Sequence, residues 1–365
     1  MRKKIKRVLL ISNFAVISAF LTIVFLFIYF SLTHPLTSAL IGNKPIKFVL
    51  TFYGTEKFLP ETIESYFVLY ERENKLLKIL SINPEAVVFK KNVKARSLKH
   101  SFYATSEKDL NLALTNFYQD IFEMANNSFV PDFYVTASFE SLIKLAQNNQ
   151  KAKDLLSNKN FTDRNLQCLN QIEFAQTILN SFKTSLFSSI GCLRKNYDLL
   201  DTNISKLAFT NMIMYFRIHN AEIMFFDLPL KYAKARMETD KNNIADMLYT
   251  IYYPLTNTEP KIDGLIEIKN ASGKPRMAEK AAWKLRENKF DVLEWSNNKT
   301  FYNKTLIKNY KGNYGASKKI AKILGNGQII NSYDNKNSFA ISVFIGKDCE
   351  IYDKFDKKED INGKN

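Results

Sequence analysis

Apolar positions follow three different rhythms along this chain. The first is an unbroken run, Val8 to Leu32, in which 25 consecutive positions carry no charge. The second, up to Tyr252, mixes short β-prone runs with helical stripes. "KPIKFVLTFY" (Lys44 to Tyr53), "SYFVLY" (Ser65 to Tyr70) and "LLKILSI" (Leu76 to Ile82) predict three strands, the last two joined by a polar turn at Glu71 to Lys75. Apolar residues at Leu110, Leu112, Leu114, Phe117, Ile121 and Met124 predict a helix over 108–125. A short strand at Phe133–Val135 and a helix at Ser138–Gln147 follow. A long helix capped by Thr162 or Asp163 should reach about Phe187, and another should cover Asn203–Arg217. "EIMFFDL" (Glu222 to Leu228) predicts a strand stopped by Pro229, and Lys241–Tyr252 a helix.

The third rhythm begins after "YPLTNTEPK" (Tyr253 to Lys261), which has two prolines and no period and reads as a linker. Then come strand Leu265–Lys269, helix Arg276–Asn288, strands Phe290–Trp295 and Thr305–Tyr310, helix Gly315–Leu324, and strands Gln328–Asn331 and Phe339–Ile345. The first six are β-α-β-β-α-β, the order of a split βαβ layer, with a seventh element, a strand, appended. After Tyr352 acidic and basic residues alternate, which predicts a disordered tail over 353–365. The expected organisation is therefore a flank at 1–7, a span at 8–32, a mixed α/β domain at 44–252, a linker at 253–261 and a smaller α/β domain at 262–348.

Composition supports this division. A chain of 365 residues with 46% hydrophobic content can build a span and about two folded units. Arg2, Lys3, Lys4, Lys6 and Arg7 precede the apolar run, which exceeds the ~20 residues needed to cross a bilayer. Positive flanks stay in the cytoplasm, so a single-pass anchor with the bulk of the chain outside is expected. A cleaved signal peptide is the competing reading, although its apolar core would be only ~7–15 residues. The formal net charge is +16. That excess favours anionic partners: the membrane surface, an anionic wall polymer, peptidoglycan with its attached polymers, or a polyprenyl-phosphate lipid. Nucleic acid is not an expected partner outside the membrane. Cys168, Cys192 and Cys349 match no zinc or redox spacing. Cys168 and Cys192 could pair in an oxidising compartment, while three separate buried thiols are the plainer reading. No P-loop, dinucleotide fingerprint, nucleophile elbow or His cluster occurs.

"IEIKNASGKPRMAEKAAWKLRENKFDVLEWSN" (Ile266 to Asn297), "TLIKNYKGNYGASKKIAKILG" (Thr305 to Gly325) and the closing "IGKD" (Ile345 to Asp348) resemble the LytR C-terminal domain. That domain is found behind LytR–CpsA–Psr domains in bacterial envelope proteins. The resemblance usually includes a second Gly in the first turn, where this chain has Arg276. Residues from about Ile46 to Tyr252 are more distantly similar to the LytR–CpsA–Psr catalytic domain. That family moves a glycopolymer from a polyprenyl-pyrophosphate carrier onto peptidoglycan, using arginines, aspartates and a divalent metal. Its Arg-Ser-Asp-Thr motif falls on "TIES" (Thr62 to Ser65) and its Ser-Ile-Pro-Arg-Asp motif on "SINPE" (Ser81 to Glu85). A family helix start with two arginines falls on "DRNLQC" (Asp163 to Cys168).

The resemblance implies that Glu64 and Glu85 stand in for the family's carboxylates and could hold Mg²⁺, with Arg164 as the surviving arginine. Thr62, Pro84 and Gln167 replace the others. Arginine matches two phosphate oxygens at once with a rigid fork of donors. Its loss favours a non-catalytic binding or scaffold protein of wall assembly. The alternative is a divergent Mg²⁺-dependent glycopolymer phosphotransferase using Glu64, Glu85 and Arg164. Lys90, Lys91, Lys94 and Lys99 could supply point charges. His100, beside Phe102 and Tyr103, reads as structural. In the turn, Gly273, Lys274 and Arg276 precede a helix N-terminus and could bind an anion or glycan. A plain strand-to-helix turn is the simpler explanation for them. Trp283 and Trp295 could stack on sugar rings, but their spacing places them in the core.

Overall fold

The computed structural model describes residues 34–42, 45–55, 58–71, 73–88, 96–106, 110–124, 131–145, 164–183, 197–206, 208–212, 222–233, 236–252 and 264–349, with isolated positions between them. The flank, the uncharged run, the linker and the tail all lie outside the described residues. Among the described residues no helix is long and apolar enough to cross a membrane.

Helix α1 (Pro35–Ile41) leads into the strands β1 (Ile46–Thr55), β2 (Phe58–Glu71) and β3 (Leu76–Ile82). Next come β4 (Val87–Val88), β5 (Arg96–Ser97), α2 (Leu98–Ser106), α3 (Leu110–Met124), β6 (Phe133–Ser138) and α4 (Phe139–Leu145). Helix α5 (Arg164–Lys183), β7 (Asp201–Thr202), β8 (Glu222–Asp227), β9 (Leu230–Ala233), β10 (Arg236–Thr239) and α6 (Lys241–Tyr252) complete the middle region. The C-terminal region holds β11 (Ile266–Asn270), α7 (Met277–Glu287), β12 (Val292–Asn297), β13 (Leu306–Asn309), α8 (Tyr314–Leu324), β14 (Gln328–Asn331) and β15 (Ile341–Ile345).

The protein is a mixed α/β structure, as the hydrophobic pattern predicts. Three differences matter. β2 starts at Phe58, well before Ser65, because Ile63 and Glu64 pair with Tyr53 and Phe52. The helix expected from Asn203 starts later: Thr202 belongs to β7, and Ser205 accepts the Ala208 N–H to cap the turn. The last C-terminal strand, the seventh element of that region, is not appended at an edge. β15, apolar and buried at every position, lies between β11 and β13.

The larger sheet has eleven strands in the order β12-β11-β15-β13-β14-β8-β3-β2-β1-β6-β7, so it runs from the C-terminal region straight into the middle region. The seam is the parallel pairing of β14 with β8, Ile330 opposite Phe225 and Asn331 opposite Phe226. At the seam, Asn309 donates to the Asn331 amide oxygen (3.0 Å), and Asn331 donates to the Phe225 carbonyl (3.1 Å). Both asparagines are buried. Helix α5 straddles the junction: Asn165 reaches the Tyr302 hydroxyl (3.3 Å) and Gln176 bonds Gln328 (3.1 Å).

Alternating strand residues build two cores on the two faces. Phe48, Tyr66, Ile79 and Phe225 face α5 and α4, while Val49, Phe67, Leu80 and Phe226 face α2, α3 and α6. A third cluster, including Ile268, Leu285, Ile320 and Val343, belongs to the C-terminal region. The fully buried β3 also carries Lys78. Its ammonium bonds Glu71 (2.5 Å) and the last-turn carbonyls of α6 at Thr250 (3.2 Å) and Ile251 (2.8 Å). It therefore neutralises a carboxylate and caps a helix C-terminus, where a cation is favoured. Burial lowers the Lys78 pKa, and Glu71 opposes that shift.

Two outcomes test this packing. Asn331→Ala would leave the Asn309 amide and the Phe225 carbonyl unsatisfied, at ~1–3 kcal/mol each. Urea denaturation should show a loss of about 2–4 kcal/mol, with the middle and C-terminal regions still melting together. At α1, the His34 Nδ1 accepts the Leu36 N–H (3.1 Å), and burial holds the imidazole below its ordinary pKa. The neutral ring is the capping form. Its contribution is present above the ordinary His pKa of about 6.5 and is lost as pH falls below it, where the unfolded chain binds the proton more readily. Stability measured from pH 7.5 to 5.5 should fall, and His34→Asn should remove that part of the slope.

Candidate functional site

β1, β3, β6 and β8 run in one direction, with β2 antiparallel between β1 and β3. Their carboxyl ends gather at one end of the sheet, the usual place for ligands in such folds. Register places Tyr66 opposite Ser81, and Ser81 opposite Asp227. Glu64, two residues before Tyr66, shares their face, which α5 covers.

These polar groups close on one another. The Tyr66 hydroxyl donates to the Glu64 carboxylate. Ser81 donates to the Gln171 side chain (3.0 Å), and the Cys168 thiol points at the Asp227 carboxylate (3.7 Å). On the opposite face the Thr51 and Ser65 hydroxyls bond each other (2.7 Å), and Tyr118 bonds Thr136 (2.6 Å). Burial raises the Tyr118 pKa, so its phenol stays protonated.

Glu85 is not on that face. It is exposed in the turn after β3, its backbone N–H held by Asn83 (2.9 Å) and its carboxylate 3.8 Å from the Lys99 ammonium. Arg164 is the first residue of α5, but its side chain lies outside the described residues, as do Lys90, Lys91 and Lys94. His100 is an exposed residue in the first turn of α2, not packed as its aromatic neighbours suggest. Cys192 lies outside the described residues, whereas Cys168 and Cys349 are buried. Among the described residues no group of three or more His, Cys, Asp or Glu side chains converges on one point. Glu64, engaged by Tyr66, and Glu85, beside Lys99, do not form a donor set that fits a protein-held Mg²⁺.

The Ser272–Arg276 turn lies elsewhere. β15 is antiparallel to β13, and β11 follows β15, so the carboxyl end of β11 points opposite to that of β3. The turn is filled from within. The Asn270 amide donates to the Lys274 carbonyl (2.7 Å), its oxygen accepts from Ser272, and the Ser272 hydroxyl accepts the Lys274 N–H (3.1 Å). Gly273 has φ 76°, and an added Cβ would sit 3.5 Å from the Phe301 ring. Arg276 is the residue before the helix, not part of it, with φ 58°. That left-handed conformation favours glycine, which accounts for the Gly expected there. The Arg276 side chain turns to Glu279 (3.0 Å), and this hydrogen bond holds the Glu279 carboxyl below its ordinary pKa.

Trp283 and Trp295 are not core residues. They are 55% and 40% exposed, and Phe301 is 62% exposed. α7 buries Met277, Ala278, Ala281, Ala282 and Leu285. Trp283 lies off that stripe, a signal present in the helical spacing. β12 is an edge strand exposed from Leu293 onward.

Residues 265–348 match the family described as LytR cell envelope-related transcriptional attenuator. No curated protein matches the chain. Among solved structures, the chain is similar to a transcriptional regulator from Enterococcus faecalis at 10% identity and a TM-score of 0.43, covering 57% of this chain and 88% of that one. It is similar to TagT bound to LIIa-WTA at 13% identity and a TM-score of 0.40, over 56% and 88% of the two chains. For B. subtilis TagV the values are 12% and 0.42, over 58% and 100%. Likenesses this distant carry no functional argument.

The conformation of Arg276 is open to test. Arg276→Gly should leave stability within about 1 kcal/mol of the original, because relieved strain is offset by added chain entropy and a lost surface pair. Arg276→Val should cost about 2 kcal/mol, since a β-branched residue tolerates this backbone poorly. Paired urea titrations give both values.

Proposed function

We propose, from the LytR C-terminal domain at residues 265–348, that this chain is an envelope protein of wall assembly. In this reading it is held by a single N-terminal span, with the bulk of the chain outside. It binds an anionic wall glycopolymer or its lipid-linked precursor without transferring it. The family description names the cell envelope, which supports that setting, and the basic flank followed by 25 uncharged residues supports the anchor.

One observation carries the non-catalytic part. Among the described residues, the side chains gathered at the carboxyl ends are acidic or neutral and bond one another: Glu64 with Tyr66, Ser81 with Gln171, Cys168 with Asp227. A pyrophosphate brings several negative charges, and its transfer needs donors aimed at the charge that develops. Glu64 and Asp227 would repel it. Thr62, Pro84 and Gln167 stand where arginines would supply paired donors.

Each missing charged hydrogen bond is worth ~1.5–3 kcal/mol, and each ~1.4 kcal/mol is tenfold in rate. Three losses therefore slow transfer by about a thousandfold or more. Purified full-length chain in detergent, given a polyprenyl-pyrophosphate-linked glycan, an acceptor glycan and Mg²⁺, should retain the donor and form no transfer product. Turnover that disappears on Glu64→Ala or Glu85→Ala would replace this reading with the metal-assisted transferase.

A further inference from the structure

The C-terminal edge of the sheet carries three exposed aromatic rings and several cations in one strip. The Arg286 guanidinium sits between the two indoles, 4.8 Å from the Trp295 ring centroid and 5.8 Å from that of Trp283. Two of its N–H groups donate to the Val292 carbonyl (3.2 and 2.6 Å), which fixes the guanidinium in place. Trp295 lies opposite Ile268 in the ladder, and two residues on, Asn297 lies opposite Asn270. Asn270 bonds both the Asn297 side chain (3.4 Å) and the Lys274 carbonyl (2.7 Å). The strip is therefore continuous from the indoles to the Ser272–Arg276 turn, where Phe301 covers Gly273 and the Arg276 side chain is 66% exposed.

The α7 core stripe is complete without Trp283. Large exposed aromatics cost solubility and mark contact surfaces. Flat ring faces beside guanidinium groups suit a ligand with apolar ring faces and negative substituents. A β-strand partner suits the edge less well. Leu293 is an extra residue between the Ile266–Val292 and Glu267–Glu294 pairs, and such a bulge interrupts the row of groups that an added strand would pair with.

We propose that Trp283, Arg286 and Trp295, continued by Lys274 and Arg276, form a binding platform for an anionic glycan, with sugar rings stacking on the indoles and the anionic groups meeting the cations. This site shares with the proposed function only the class of partner. It lies at the opposite end of the strands from Glu64.

The chain contains only two tryptophans, so its entire tryptophan emission reports on this strip. Full-length chain in detergent is titrated with hexagalacturonate, with chitohexaose (rings without charge) and with polyphosphate (charge without rings). Hexagalacturonate should give a saturable blue shift. Trp283→Ala and Trp295→Ala should each weaken binding by about tenfold, followed by emission of the remaining indole, with unchanged circular dichroism. Glu64→Ala should leave the titration unaltered, which separates failure of this site from failure of the non-catalytic reading. No saturable shift with hexagalacturonate, or equal binding of chitohexaose or polyphosphate, would overturn the proposal.

Discussion

The parallel pairing of β14 with β8 is the contact on which the architecture depends. Two residue pairs, Ile330 with Phe225 and Asn331 with Phe226, join segments about a hundred positions apart into one eleven-stranded sheet. Backbone groups at that edge would otherwise need water or another partner. The buried Asn309–Asn331–Phe225 chain of hydrogen bonds specifies the register, since a slip would leave an amide unpaired in an apolar surrounding. The aromatic contacts around the seam are polar at their tips. Tyr314 bonds Glu222 (2.8 Å), and burial together with that carboxylate raises its pKa; Tyr333 bonds Thr250 (2.5 Å) and is pushed up to about 12.

The seam also decides where chemistry can occur. β8 and β14 run together, but β15, β11 and β12 run the other way. The acidic and neutral groups around Glu64 therefore lie at one end of the strands, and the Lys274–Arg276 turn with its neighbouring indoles at the other. Among the described residues, the two polar groupings thus stand at opposite ends of the strands. The protein offers a closed, hydrogen-bonded polar cluster in the middle region and an open, cationic, aromatic edge in the C-terminal region. The second is the better match for a polyanion.

Local pattern carried much of this. The order of strands and helices from Ile266 to Ile345 was readable because each element there is short, periodic and bounded by Gly, Pro or Asn. The Gly273 turn was readable for the same reason. What local pattern does not encode is which strand lies beside which. β15 reads as an ordinary apolar strand, and only its burial on both faces, seen in the sheet, explains its central place. The β14–β8 seam is a long-range contact with no local signature. Glu64 was expected before a strand and lies within one, because pairing with β1 extends β2. Trp283 and Trp295, expected in the core from their helix and strand spacing, are exposed. The α7 stripe already excluded Trp283, while the exposure of Trp295 follows from β12 being an edge.

The central claim is that anionic glycan is recognised at the C-terminal edge and not at the carboxyl ends of β3 and β8. Backbone amide chemical shifts recorded with and without hexagalacturonate test it most directly. The account predicts perturbations confined to residues 272–276 and 283–297, with the amides of Glu64, Ser81, Glu85 and Asp227 unmoved. Perturbation centred on those four residues, with the C-terminal edge silent, would contradict it.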